Sequence, residues 1–252
     1  MPSWSPTQYL KFSEERTRPC RDLAARIDLP PRARIIDLGC GPGNSTEVLA
    51  ERWPDAELTG LDSSPDMIAK ATAAHPDWRW IAGDIARWAA SPGTEPYDLV
   101  FSNAALQWVP DHATIFPRLL AHTRTLAVQV PANWHGPAHQ TMREVAKRYP
   151  LEGCVREWYT HDDAFYYDAL SPHARQLDIW ATEYIHLVNS AEAIVEWYQG
   201  TGMRPFLEAL PTDADRARFT VDYLDAIRSV YPPRPDGKVL FPFRRLFLIA
   251  RR

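Results

Sequence analysis

Between residues 33 and 131, short apolar runs alternate with stretches whose apolar positions recur at helical spacing. This alternation predicts successive strand-helix-strand units and a parallel sheet. Five strands are expected here: Arg34 to Leu38, Glu57 to Leu61, Trp78 to Ile81, Tyr97 to Ser102 and Thr125 to Val130. The first, fourth and fifth are nearly continuous apolar runs, as strands covered on both faces must be. After the second strand, Ser64 reads as an N-cap, Pro65 as a first-turn proline and Asp66 as an acid at the positive helix end. Met67, Ile68, Ala71 and Ala74 follow at helical spacing.

Beyond Pro131 the alternation stops, and a Pro-, Trp- and Tyr-rich stretch to about Pro172 is expected as an insertion over the sheet. A strand-like segment from Gln176 to Leu187 follows, then helices over residues 190–230 broken by Thr201-Gly202 and Pro211. A closing strand from Val239 to Ala250 ends the series. The pattern predicts an α/β fold with a doubly wound, mainly parallel sheet and a helical cap. A single domain is expected over residues 1–252, its cap drawn from about 1–26, 133–173 and 190–236.

Composition narrows the function classes. Hydrophobic residues make up 45% and charged residues 24% of the 252, the balance of a globular protein. The net charge is -4 and the basic residues are scattered, so a nucleic-acid partner is not expected. Cys20, Cys40 and Cys154 are odd in number and form no C-x-x-C pair, which predicts neither a disulfide framework nor a metal site. Residues 1–6 lack the regions of a signal peptide, and no apolar run approaches the roughly 18 residues that span a bilayer. A soluble cytoplasmic protein with no membrane partner, monomeric by preference, is expected.

The candidate chemistry begins at residues 35–43, an apolar strand carrying Asp37 and ending in Gly39, Gly41 and Gly43, with Asn44, Ser45 and Thr46 opening a helix. Glycine lacks Cβ and tolerates positive φ, so a ligand can lie against such a loop at the carboxyl end of the strand. A dinucleotide loop has the spacing G-x-G-x-x-G, whereas this one is G-x-G-x-G followed by Asn44, which disfavours that reading.

The loop resembles the first motif of the class I S-adenosylmethionine-dependent methyltransferases. Further signals of that family follow in order: Asp62 ending the second strand, Gly83-Asp84-Ile85 after the third, and Tyr97 to Asn103 as the fourth. The resemblance implies a Rossmann-like sheet of seven strands and S-adenosylmethionine as cofactor. Asp37, Gly39, Gly41, Gly43, Asp62, Ser63, Asp84, Ile85 and Asn103 would then line the cofactor, Asp62 holding the ribose and Asp84 the adenine amino group. A carboxylate at 62 can accept both ribose hydroxyls. Singly, Asp62 could begin a turn, Asp84 could cap a helix and Gly41 could serve a tight loop. Cys40 reads as packing, since no partner base is indicated nearby.

Nearly the whole chain also resembles the trans-aconitate methyltransferase family. The resemblance is carried by Gln8 to Phe12 with Glu15 to Pro19, Asn103 to Asp111, Val128 to Asn133, Tyr167 to Pro172, and Glu196 to Phe206. One departure is the turn His122-Thr123-Arg124 before the fifth strand, where relatives often carry a glycine pair. The resemblance implies a methyl ester made on a small tricarboxylate. A carboxylate is already ionised at pH 7, so no catalytic base is named. A polyanion demands cations and donors: Arg204 first, then Lys11 and Arg16, with Tyr9, Gln107, Trp108 and Asn133 as pocket lining. One of Arg16 and Arg18 would instead grip the cofactor's methionine carboxylate, Arg18 being assigned to the cofactor. A surface ion pair is the ordinary alternative for each arginine. His112 and His135 read as loop residues. Two rivals are another small-molecule or carrier-bound carboxyl methyltransferase, such as one acting on a malonyl group, and a cofactor-binding protein without turnover.

Overall fold

The computed structural model describes residues 13–91, 96–151, 153 and 158–252, with side chains from Thr17 onward. Tyr9, Lys11, Cys154 and the side chain of Arg16 lie outside the described residues. The strands are β1 (Arg34–Leu38), β2 (Glu57–Asp62), β3 (Arg79–Ala82), β4 (Tyr97–Asn103), β5 (Thr123–Pro131), β6 (Gln176–Val188) and β7 (Val239–Arg251). The helices are α1 (Ser13–Ala24), α2 (Asn44–Arg52), α3 (Pro65–Ala74), α4 (Ile85–Ala90), α5 (His112–Ala121), α6 (Pro137–Ala146), α7 (Asp163–Leu170), α8 (Ala191–Gln199), α9 (Arg204–Ala209) and α10 (Asp213–Val230).

The strands form one seven-stranded sheet in the order β3-β2-β1-β4-β5-β7-β6. β1 pairs in parallel with β2 and β4, β2 with β3, and β4 with β5, while β7 runs antiparallel to β5. The expected α/β, mainly parallel architecture is therefore present. The expected helix after β2 is also there: Ser64 caps α3 by accepting the Met67 amide at 3.4 Å, with Pro65 in the first turn. The expected turn His122-Thr123-Arg124 needs no glycine, because none of the three has positive φ and Thr123 and Arg124 already belong to β5. Buried Thr123 anchors it, its hydroxyl donating to the Tyr97 carbonyl at 3.0 Å.

The chain divides into two compact units. Among the described residues, the first comprises 13–15, 132–151, 153, 158 and 183–244, the second 16–91, 96–131, 159–182 and 245–252. The core of the second unit is the apolar strand set, Ile35, Ile36 and Leu38 with Leu99 to Phe101, Leu126 to Val128 and Leu246 to Ala250, all almost fully buried. The core of the first unit is aromatic and helical: Met142, Ile194, Trp197, Tyr198, Phe206, Phe219, Tyr223 and Phe241 pack together.

Within the second unit, one expectation is corrected. His112 is not a loop residue: it opens α5 and is 1% exposed. Its Nε2 lies 2.9 Å from the Leu106 carbonyl, and its Nδ1 lies 2.8 Å from the Tyr166 hydroxyl. A carbonyl only accepts, so Nε2 carries the proton and Nδ1 accepts from the phenol. Burial holds this imidazole's pKa down, which keeps it neutral. A β4–α5 connection stretched between residues with positive φ, Ala104 at 56° and Asp111 at 58°, is thereby anchored from α7.

Candidate functional site

After β1 the chain builds β2 on one side, then returns to build β4 on the other. The carboxyl end of β1 is thus the switch point at which a doubly wound sheet opens a crevice. The glycine loop occupies that end. Gly39, Gly41 and Gly43 have φ of 75°, 55° and 106°. Gly39 is required by packing, since a Cβ there would lie 2.1 Å from that of Ala105. At Gly41 a Cβ would meet nothing within 4 Å, so the backbone there faces open space and its glycine leaves a ligand room to approach.

Two carboxylates shape the loop. Asp62, at the end of β2, accepts the Gly41 amide on Oδ2 at 3.0 Å and the Ser64 amide on Oδ1 at 2.9 Å. Each oxygen keeps a further lone pair. Asp37, fully buried in β1, accepts the Ser45 and Thr46 hydroxyls on Oδ2 at 2.6 and 2.7 Å, whereas its Oδ1 has no partner. Burial raises its pKa to about 6, against the lowering effect of the two hydroxyls, and the Asp62 charge adds to the rise.

Asn103 ends β4 half-buried, with Oδ1 unpartnered. Buried Gln107 donates from Nε2 to the Ala104 carbonyl at 2.7 Å and leaves Oε1 unpartnered, its own carbonyl accepting the Tyr159 amide at 3.0 Å. Trp108 shares the same short 3-10 turn, Leu106–Trp108, and is partly exposed. Asn44, at the start of α2, also has an unpartnered buried Oδ1. In the sequence Asn44 breaks the dinucleotide spacing and opens the helix; its place directly after the third glycine was the signal for a binding role. Asp37 Oδ1, Asn44 Oδ1 and Asn103 Oδ1 are all acceptors, and buried acceptors require donors. An amino acid ammonium, an amine and ribose hydroxyls are groups of that kind, so the residues fit the cofactor that the loop implies.

The remaining expected cofactor residues are placed as follows. Asp84 is exposed and caps α4, its Oδ1 accepting the Arg87 amide at 2.9 Å, which leaves Oδ2 for another donor. Ser63 is exposed, while Ile85 is buried against Gly39. Arg18 lies exposed on α1. Cys40 is packing: burial pushes its thiol far up, and its sulfur faces Gly60. Among the described residues no group of His, Cys, Asp and Glu could hold a metal ion.

In the first unit, Asn133 is buried and donates from Nδ2 to the Tyr198 hydroxyl at 3.2 Å. Arg204 opens α9 and pairs through Nε with Glu208 Oε1 at 2.6 Å, its side chain 18% exposed. His135 lies in the turn before α6, as expected.

Residues 35–125 match a family model described as a methyltransferase domain. The chain is 49% identical over 257 residues to the trans-aconitate 2-methyltransferase of Azoarcus sp., covering 100% of each. It is 45% identical to the enzyme of that name from Klebsiella pneumoniae, covering 100% of this chain and 99% of the other. Among solved structures, the YcgJ protein of Bacillus subtilis superposes with a TM-score of 0.61 at 12% identity, covering 93% of this chain and 98% of the other. A phosphoethanolamine N-methyltransferase of Haemonchus contortus, solved with S-adenosylmethionine, gives 0.56 at 14% identity, over 93% of this chain and 52% of that one. The structural likenesses carry the fold.

Proposed function

The chain belongs to the trans-aconitate 2-methyltransferase family, and on that premise we propose that it converts trans-aconitate or a related small tricarboxylate to a monomethyl ester. S-adenosylmethionine is the cofactor, and when bound it supplies a methyl group activated by a sulfonium. The observation that carries the reading is the set of unpartnered buried acceptors at the ends of β1 and β4 and the start of α2, Asp37, Asn103 and Asn44, with the open backbone of Gly41.

In this reading Asp37 takes a hydrogen-bond donor on its free oxygen, with ionised carboxylate favouring a cationic donor. Asp62 offers its two remaining lone pairs to vicinal hydroxyls while holding the loop that carries Gly41. Gly39, Gly43, Ser63, Asp84, Ile85 and Arg18 complete the cofactor set. Arg204 and Asn133 serve the acceptor, with Gln107, Trp108, Tyr9, Lys11 and Arg16 in the same role. The residues bind, orient and exclude water, and none need remove a proton, because the acceptor carboxylate is ionised near pH 7.

Among the described residues no helix is long and apolar enough to cross a membrane. A cytoplasmic monomer acting on a free acid, without a nucleic-acid partner, fits the net charge of -4. The test is incubation with methyl-labelled S-adenosylmethionine and, separately, trans-aconitate, citrate, isocitrate and a malonyl carrier protein. The expected product is labelled trans-aconitate monomethyl ester. Label on the carrier protein alone, or on none of the acids, would sink the reading.

A further inference from the structure

In the first unit, the packing leaves a buried polar atom of both His139 and Asn133 unsatisfied. His139, in the first turn of α6, is 3% exposed, and Asn133, just ahead of that helix, is 8% exposed. His139 Nε2 and Asn133 Oδ1 are buried without a hydrogen-bond partner. Such groups are rare inside proteins unless something else pairs with them.

The surroundings hold both in place. The His139 ring meets Trp158 at 4.8 Å and Tyr198 at 4.8 Å, both edge-on, and Trp134 at 5.2 Å. Asn133 is tied to the same Tyr198 through its hydroxyl at 3.2 Å. Gly202, the glycine of the break between α8 and α9, has its function here: a Cβ at that position would stand 2.9 Å from His139 Cε1 and 3.2 Å from the Tyr198 ring. Residue 202 must lack a side chain for His139 to lie where it does.

Burial, and secondarily the nearby Arg143 charge, hold His139 down at about pH 3, so at neutral pH it is an uncharged ring with one N–H. Tyr198 both donates and accepts, so it can hold the Asn133 amide in either orientation, with the outward atom an acceptor in one and a donor in the other. Two neutral donors beside the positive end of a helix that no side chain caps suit an anionic carboxylate.

We propose that His139 and Asn133 together bind one carboxylate of the acceptor acid and so determine which acids are accepted. This rests on the carboxyl methyl transfer proposed above. His139 donates from Nε2, Asn133 turns its amide to donate from Nδ2, and Tyr198 and Gly202 position the pair.

The test compares wild type, His139→Phe and His139→Gln, with trans-aconitate as acceptor and S-adenosylhomocysteine as cofactor probe. His139→Phe keeps the edge-on ring packing but loses the donor. It should raise KM for trans-aconitate by about 10-fold or more, the range for losing a hydrogen bond to a charged group. Its dissociation constant for S-adenosylhomocysteine should not change. His139→Gln, which restores an N–H, should recover part of the loss. An unchanged KM in folded His139→Phe, or an equal loss of S-adenosylhomocysteine binding, overturns the inference.

Nitrogen-15 NMR of the wild-type imidazole needs no variant. Adding trans-aconitate to the S-adenosylhomocysteine complex should move the His139 Nε2 resonance, and its absence at saturation also overturns the inference. Tricarboxylate binding that moves His139 without methyl transfer would sink the proposed reaction and uphold the subsite.

Discussion

The Gly41 amide donates to Asp62 Oδ2 at 3.0 Å, so the residue expected to hold a ribose also holds the loop on which the cofactor would rest. The second oxygen of the same carboxylate takes the Ser64 amide at 2.9 Å, joining the end of β2 to the start of α3. One side chain therefore links three backbone segments around the crevice.

From this link, Asp62→Ala should weaken S-adenosylhomocysteine binding by more than a single ligand contact, because it also frees the Gly41 amide. Loss of charged hydrogen bonds worth about 1.5–3 kcal/mol each corresponds to roughly 10- to 150-fold per bond. Asp62→Asn keeps one acceptor oxygen and should fall between. Calorimetric titration measures both, and an unchanged dissociation constant in Asp62→Ala would return Asp62 to a turn residue.

The three loop glycines should fail for different reasons. Gly39→Ala places Cβ against Ala105 and should lower the unfolding temperature sharply. Gly41→Ala meets open space, so its stability loss should be only about 1–2 kcal/mol for the left-handed backbone. Its S-adenosylhomocysteine binding should nevertheless collapse. Thermal unfolding and calorimetry on both variants separate packing from ligand access; intact binding in Gly41→Ala would show that the backbone there contacts no ligand.

Asp37 should make cofactor affinity pH-dependent. Burial raises its pKa to about 6, so a carboxylate that held a cationic donor would be lost below that pH. The dissociation constant for S-adenosylmethionine should rise about tenfold per unit below pH 6, and Asp37→Asn should flatten the profile.

The same shift has a stability consequence. Because the folded pKa exceeds the ordinary 3.8, folding favours the protonated acid, and Asp37 stabilises least above pH 6. Without cofactor, Asp37→Asn should therefore gain stability relative to wild type as pH rises from about 4 to 6, then remain level. Denaturant unfolding across that window checks the sign, and a gain that grows as pH falls would contradict the burial of an ionisable Asp37.

Arg204 tests the acceptor assignment against an ordinary ion pair. If it serves a substrate carboxylate, Arg204→Lys keeps charge but loses the planar fork and should raise KM. Arg204→Ala should lower kcat/KM by about ten- to a hundredfold with cofactor affinity retained. Glu208→Gln removes the carboxylate 2.6 Å away and should leave KM unchanged or lower it. Wild-type kinetics in both Arg204 variants would reduce the residue to its pairing with Glu208.

The sequence by itself determined the sheet, the crevice and the class of ligand. Strand periodicity, the Ser64-Pro65 cap and the alternate glycines are local signals, written in a few consecutive residues, and β1 to β7 appear within one or two residues of where those signals stand. Only tertiary structure decided which polar atoms are left over. His112 was legible as a residue but not as a clamp, because its partner Tyr166 is brought to it from the distant α7. Asp37 lies in an apolar strand like any buried acid, and only the fold shows Ser45 and Thr46 packed onto one oxygen and the other without a partner. Gly202 read as a helix break, yet its lack of a side chain is required by His139, distant in sequence. Periodicity reports which way a side chain faces, whereas hydrogen-bond satisfaction depends on every neighbour the fold brings near, and no single stretch of sequence contains that sum.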